Sequence, residues 1–206
     1  MSRLLPALLS LFVVASACAQ DAPASDMANG DMDAANERIF DLAPQVPSRA
    51  ADEARPSPNA SVGQAIGTTY AFVQYGRPSL RGREAFGEDS PLAPLGQIWR
   101  TGANEAPTFT VTRDVMVQGE RLPAGTYALF TIPGPDEWTI IFNKTAEQWG
   151  AFRYDEGEDA LRVMADALAA PTAEQFHIRF ENVSDDEATM LLHWGDVGVP
   201  VTIATN

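Results

Sequence analysis

Short runs of β-branched and aromatic residues, cut at close intervals by proline and glycine, are the feature that most restricts this chain. From Ser61 onward these short runs are the dominant signal, and the breaks carry turn chemistry. The spacing predicts strands over 68–75, 107–113, 115–118, 126–132 and 137–143, then 175–183, 189–194 and 199–204. Gly76-Arg77-Pro78, Leu122-Pro123-Ala124-Gly125 and Pro133-Gly134-Pro135 stand between them. The tight turn at 133–135 makes 126–132 and 137–143 a hairpin. Thr145-Ala146-Glu147-Gln148 has a capping-box arrangement and predicts one short helix near 145–152. The stretch 159–169 reads either way: its Ala and Leu content suits a helix, while Leu161, Val163, Ala165 and Ala167 alternate like a strand. About 8–10 strands at this spacing give an all-β, mostly antiparallel sandwich or partly closed barrel.

The N-terminal part has another character. Arg3 precedes an apolar run from Leu4 to Val14, and small residues follow in Ala15-Ser16-Ala17-Cys18-Ala19. This is the order of a secretory signal, and the run is short for a membrane-spanning helix. Residues 1–19 are therefore expected to direct export to the periplasm, the outer membrane or the cell surface. Two cleavage readings compete. Ala17-Cys18-Ala19 fits ordinary signal peptidase and would release Gln20, whereas Ala15-Ser16-Ala17-Cys18 resembles a lipobox that would lipidate Cys18. Residues 20–60 hold ten Ala, five Pro and eight acidic residues, with Phe40 their only aromatic. Such a segment buries too little apolar area to offset its ordering entropy, and it is read as a disordered acidic linker. Within it, 33–42 has the pattern of a transient helix. Residues 61–206 then form a single β domain, long enough for one core.

Charge and cysteine narrow the function classes. The net charge is −14, from 28 acidic against 14 basic residues, and Lys144 is the one lysine. A surface of that sign repels phosphate backbones and anionic lipid, so nucleic acid is not an expected partner. The membrane enters only through the N-terminal anchor. Cys18 is the single cysteine, so the domain is expected to have no disulfide, thiolate nucleophile or Cys-ligated metal. His177 and His193 lack a defined third ligand, and no metal or cofactor is assigned. Asp155-Glu156-Gly157-Glu158-Asp159 lacks the alternating spacing of a calcium loop and reads as a solvated turn.

Two turn segments carry more functional groups than a turn needs. In the first, Arg77, Arg81 and Arg83 place three guanidinium groups within seven residues. They either grip an anion bidentately or pair with the domain's own carboxylates. The second, Trp99-Arg100-Thr101-Gly102-Ala103-Asn104-Glu105, either presents a polar ligand site with Trp99 as stacking platform or forms a structural network with Trp99 in the core. Arg77, Arg83, Trp99, Arg100, Asn104 and Glu105 are the candidate ligand-binding residues.

These segments also carry a resemblance. Tyr75-Gly76-Arg77-Pro78, Gly82-Arg83, Phe86-Gly87 and the string from Trp99 to Glu105 resemble domain-of-unknown-function family 2911. So do Pro123-Ala124-Gly125-Thr126-Tyr127, Ile132-Pro133, Trp138-Thr139, Trp149-Gly150, Tyr154, Asp159 with Arg162, and Trp194. The similarity runs from about Ile66 to Ile203, and Pro107 departs from it. It implies an exported, often lipoprotein-like bacterial envelope protein, and a strand over 159–168; it assigns no activity and no site residue. The expected function is a non-enzymatic β-sandwich module binding a small polar or carbohydrate-like ligand. One alternative is an envelope hydrolase, with Glu105 as acid/base and Arg100 or Asn104 stabilising developing charge. The other is a structural, partner-docking domain, marked by an exposed apolar patch.

Overall fold

The computed structural model describes residues 54–205. The expected signal segment, Cys18, the 33–42 stretch and the expected linker up to residue 53 lie outside them. The described chain forms two antiparallel sheets packed face to face, as the turn-punctuated sequence predicts. Its strands are β1 (Asn59–Ile66), β2 (Thr69–Gly76), β3 (Phe86–Gly87), β4 (Ala93–Pro94), β5 (Thr108–Val111), β6 (Val115–Val117), β7 (Glu120–Leu122), β8 (Gly125–Ile132), β9 (Glu137–Asn143), β10 (Asp159–Asp166), β11 (Leu168–Glu181) and β12 (Glu187–Thr205). Sheet one has the order β1-β2-β5-β8-β9-β10 and sheet two the order β11-β12-β6-β7, with β3 and β4 a separate parallel pair.

Alternation explains why both sheets bury one face against the other. Along β8 the inward residues Tyr127 and Leu129 join a core with Phe109, Phe142, Phe176, Trp194 and Val201. Each such side chain, fully buried, contributes roughly 1.5–3 kcal/mol of transfer free energy. The outward residues Ala128 and Phe130 are just as buried, and with Ala106 and Ile141 they form a second, smaller cluster. Sheet one is thus covered on both faces, and its outer face is roofed by the loop between β9 and β10.

Three expectations change. The helix expected near 145–152 is absent; the described chain's helical turn is a 3-10 turn at Glu156–Glu158. Gln148 turns its amide back to Thr145 O at 2.7 Å and Asn143 Oδ1 at 3.2 Å. The backbone groups at 148 and 150 bond to Ala106 and Asn104, so the polar groups a helix would pair internally are used across the loop instead. Secondly, the chain enters the fold ahead of Ser61: β1 starts at Asn59, and Arg77 N donates to Pro58 O. Thirdly, the two last strands are one continuous β12. The 159–169 stretch is the strand β10, ending at Asp166, as the resemblance implied.

Candidate functional site

Four of the six candidate residues are absorbed by the fold's own hydrogen bonds. Arg77 Nε donates to Phe176 O at 3.0 Å, pinning the end of β2 to β11. Arg83 caps its own turn, with Nε on Leu80 O at 2.9 Å and Nη2 on Ser79 O at 3.0 Å. Both guanidinium groups donate to backbone carbonyls, and neither forms an ion pair with a carboxylate among the described residues. Asn104 sits at φ 65°, a left-handed position asparagine tolerates, and its Nδ2 donates to Ser57 O at 3.3 Å. Glu105 receives Arg55 Nη1 on both carboxylate oxygens, at 3.0 and 2.9 Å. Asn104 and Glu105 thus strap residues 55–57 across the loop, and the one ionic partner of Glu105 among the described residues is Arg55.

Trp99 is not a stacking platform for a ligand. It is only 4% exposed, stacks on Trp194 with ring centroids 5.8 Å apart, and meets Phe86, Trp138 and Phe176 edge-on. A ring already contacted on all sides has no face to offer. Its backbone does the positioning instead. Trp99 N donates to Thr131 O and Thr131 N to Trp99 O, so residues 98–100 run alongside β8 as an additional short rung.

That rung decides where Arg100 lies. Trp99 points into the core, so alternation turns Arg100 to the outer face, across from Phe130. Phe130 pairs with Ile141 and Ile141 with Arg162. Arg100, Phe130, Ile141 and Arg162 therefore form one row across sheet one, an apolar floor with an arginine at each end. The two arginines are treated differently. Arg162 binds Asp159 at 2.6 Å and Glu156 at 3.2 Å, and it also bonds Tyr154 Oη. Arg100 is partly buried, and its Nε is fully buried with no hydrogen-bond acceptor among the described residues. Burial lowers the Arg100 pKa from its ordinary value. An arginine cannot shed its charge at neutral pH, so this is a partly buried cation that no ion pair among the described residues compensates.

The roof of this face was not singled out from sequence as a site. Tyr154 packs edge-on against Phe130 at 5.0 Å and donates to Asp159 Oδ2 at 2.7 Å, while Asn143 Nδ2 donates to Asp159 Oδ1 at 2.8 Å. Gln148, 7% exposed, spends both amide hydrogens on Thr145 and Asn143, which leaves its buried Oε1 without a partner. Trp149 and Phe152 on the same loop are 59% and 86% exposed. Arg100 Nε and Gln148 Oε1 are thus each buried without a partner among the described residues, and Trp149, next to Gln148 in the chain, exposes its indole. The available signal was the set Trp149-Gly150, Tyr154, Asp159 and Arg162, which entered as family resemblance and not as chemistry.

Comparison with known proteins adds a family and no activity. No curated protein and no solved structure matches the chain. A family model described as "Protein of unknown function (DUF2911)" matches residues 57–203, from the strapped segment ahead of β1 to within two residues of the end of β12. The chain therefore belongs to the DUF2911 family of proteins of unknown function.

Proposed function

We propose that this domain is a non-enzymatic binding module, exported to the bacterial envelope, that takes a small polar ligand carrying an acidic group at Arg100. The observation that carries the reading is the uncompensated Arg100 guanidinium with its buried, acceptor-free Nε. Leaving such a donor unsatisfied costs about 1–3 kcal/mol, a cost that a bound ion or polar group would relieve. A sugar acid would supply a carboxylate for the Arg100 guanidinium and a ring face for the exposed Trp149. The net charge of −14 opposes an anion only weakly at this range, because exposed charges are screened beyond about 8 Å at physiological salt. The hydrolase alternative draws no support from Glu105, whose carboxylate is held by Arg55.

Calorimetric titration with glucuronate, glucose and sulfate tests the reading. Glucuronate is expected to bind, glucose at least tenfold more weakly, and Arg100→Gln to lose the difference. Equal binding by wild type and Arg100→Gln, or no binding of either acid, overturns it. A second reading, a partner-docking domain, draws on the exposed Trp149 and Phe152. Trp149→Ala separates the two, since it weakens glucuronate binding only if the indole belongs to the ligand site. Export rests on the residue pattern of 1–19. Mass spectrometry of the mature N-terminus distinguishes a lipidated Cys18 from a free Gln20, and an uncleaved Met1 would overturn export.

A further inference from the structure

On the outer face of sheet two, and independent of Arg100, two histidines meet across a strand pair. His177 of β11 is in register with His193 of β12, and their ring centroids are 4.6 Å apart. The outer nitrogens are both committed. His177 Nδ1 lies 3.2 Å from Gln175 O, and His193 Nε2 lies 2.8 Å from Pro171 O. A carbonyl can only accept, so each of these nitrogens carries the hydrogen. In a neutral ring the other nitrogen then presents a lone pair. Those two lone-pair atoms, His177 Nε2 and His193 Nδ1, face each other at 3.2 Å.

Two acceptors at that distance repel unless a cation lies between them. Arg179 Nη1 fills the role in part, 2.5 Å from His177 Nε2 and 3.3 Å from His193 Nδ1. The same geometry describes a metal edge. Two imidazole nitrogens bound tetrahedrally at about 2.0–2.1 Å sit about 3.3 Å apart. Metal-binding histidines also characteristically donate their second ring N–H to a carbonyl, which fixes the tautomer, and both do so here. Imidazole pairs select copper, nickel and zinc over hard cations such as magnesium.

We propose that His177 and His193 form a two-imidazole site for a divalent transition-metal ion of the copper or zinc class, with Arg179 competing for the position between them. Among the described residues no group of three or more His, Cys, Asp and Glu side chains gathers, so solvent completes the coordination. Arg179 has somewhere to go. Its side chain is 42% exposed and also bonds Glu181, which holds it locally after it leaves the histidines.

The full chain is titrated with Cu²⁺, Zn²⁺ and Mg²⁺ by calorimetry, with electron paramagnetic resonance on the copper form. One Cu²⁺ is expected per chain, with nitrogen couplings from two imidazoles, and no Mg²⁺ binding. His177→Gln and His193→Gln each weaken Cu²⁺ binding at least tenfold, whereas Arg179→Gln strengthens it by about tenfold, the scale at which groups around a metal's ligands act. Unchanged Cu²⁺ affinity in both histidine variants, or copper signals without imidazole nitrogen in the wild type, overturns the proposal. So does unchanged or weaker binding in a folded Arg179→Gln.

Discussion

The Tyr75 hydroxyl and the Ile178 backbone exchange two hydrogen bonds across the sandwich: Oη donates to Ile178 O at 3.2 Å and accepts from Ile178 N at 2.9 Å. A side chain from sheet one thereby supplies the next rung along the edge of β11, beyond the one that Phe176 N makes to Pro78 O. Burial raises the Tyr75 pKa, which keeps the hydroxyl protonated and able to do both. Tyr75→Phe keeps the ring against Phe176, 5.7 Å away, but strands a buried N–H and C=O. The expected loss is about 1–3 kcal/mol in urea denaturation, with the slope of the transition unchanged.

Arg100 makes the opposite prediction. A core or network arginine is missed when removed; one held without a counterion is not. Replacing even a buried ion pair by apolar side chains of similar volume is often neutral or stabilising, by about 1–4 kcal/mol, and a partly buried charge without a partner has less to lose. Arg100 is only partly buried, so Arg100→Met is expected to raise stability by about 1 kcal/mol while ligand binding falls. A destabilised Arg100→Met would mean that the guanidinium is structural.

Strand β2 was legible because its burial alternates, and β8 and β9, buried on both faces, because apolar and β-branched runs end at Pro133-Gly134-Pro135; all three lie within two residues of their expected limits. Strand β1 was missed because its residues, NASVGQAI, are small or polar, and β1 is an edge strand that relies on pairing with β2. The capping-box pattern at Thr145 misled for a different reason. Local propensity is a weak prior, and here tertiary partners at Asn104 and Ala106 take the backbone groups. The candidate site was half legible. Sequence marks Arg100 as unusual but cannot say which member of Trp99-Arg100 faces inward. That follows from the Trp99–Thr131 rung, a contact between residues 32 apart.

The Tyr154 hydroxyl gives the fold a pH dependence in the alkaline range. Its pKa is pushed up to about 12, first by burial and then by its hydrogen bond to Asp159. In the unfolded chain it titrates near its ordinary value of 10.0. Between those two values the folded state holds more protons than the unfolded one, so stability falls as pH rises through this window. Below pH 10 the contribution is fully present. Tyr154→Phe should flatten the slope between pH 10 and 12, and tyrosinate absorbance of the native protein should show one late-ionising phenol fewer in the variant than in wild type. Equal slopes in wild type and variant would remove this residue as the cause.

The two segments that define the chain's resemblance meet backbone to backbone, and glycine is what lets them. Ala103 N donates to Gly76 O at 3.3 Å, and a Cβ placed on Gly76 would lie 2.2 Å from Ala103 O. Real Cβ atoms do not approach an oxygen so closely, and a backbone oxygen cannot rotate away as a side chain can. Gly76→Ala must therefore push the 99–105 loop off the end of β2. That loop carries the Trp99 rung, the Asn104 and Glu105 strap, and Arg100 itself. The expected cost is at least about 2 kcal/mol, in the range of forced overpacking, with ligand binding lost alongside it. Gly82→Ala is the control, because its φ is also positive, at 74°, but nothing lies within 4 Å of the added carbon. It should cost about 1 kcal/mol from the left-handed backbone alone and leave ligand binding intact. If the two alanines prove equally costly, the close approach of Gly76 to Ala103 is not what holds the loop in place.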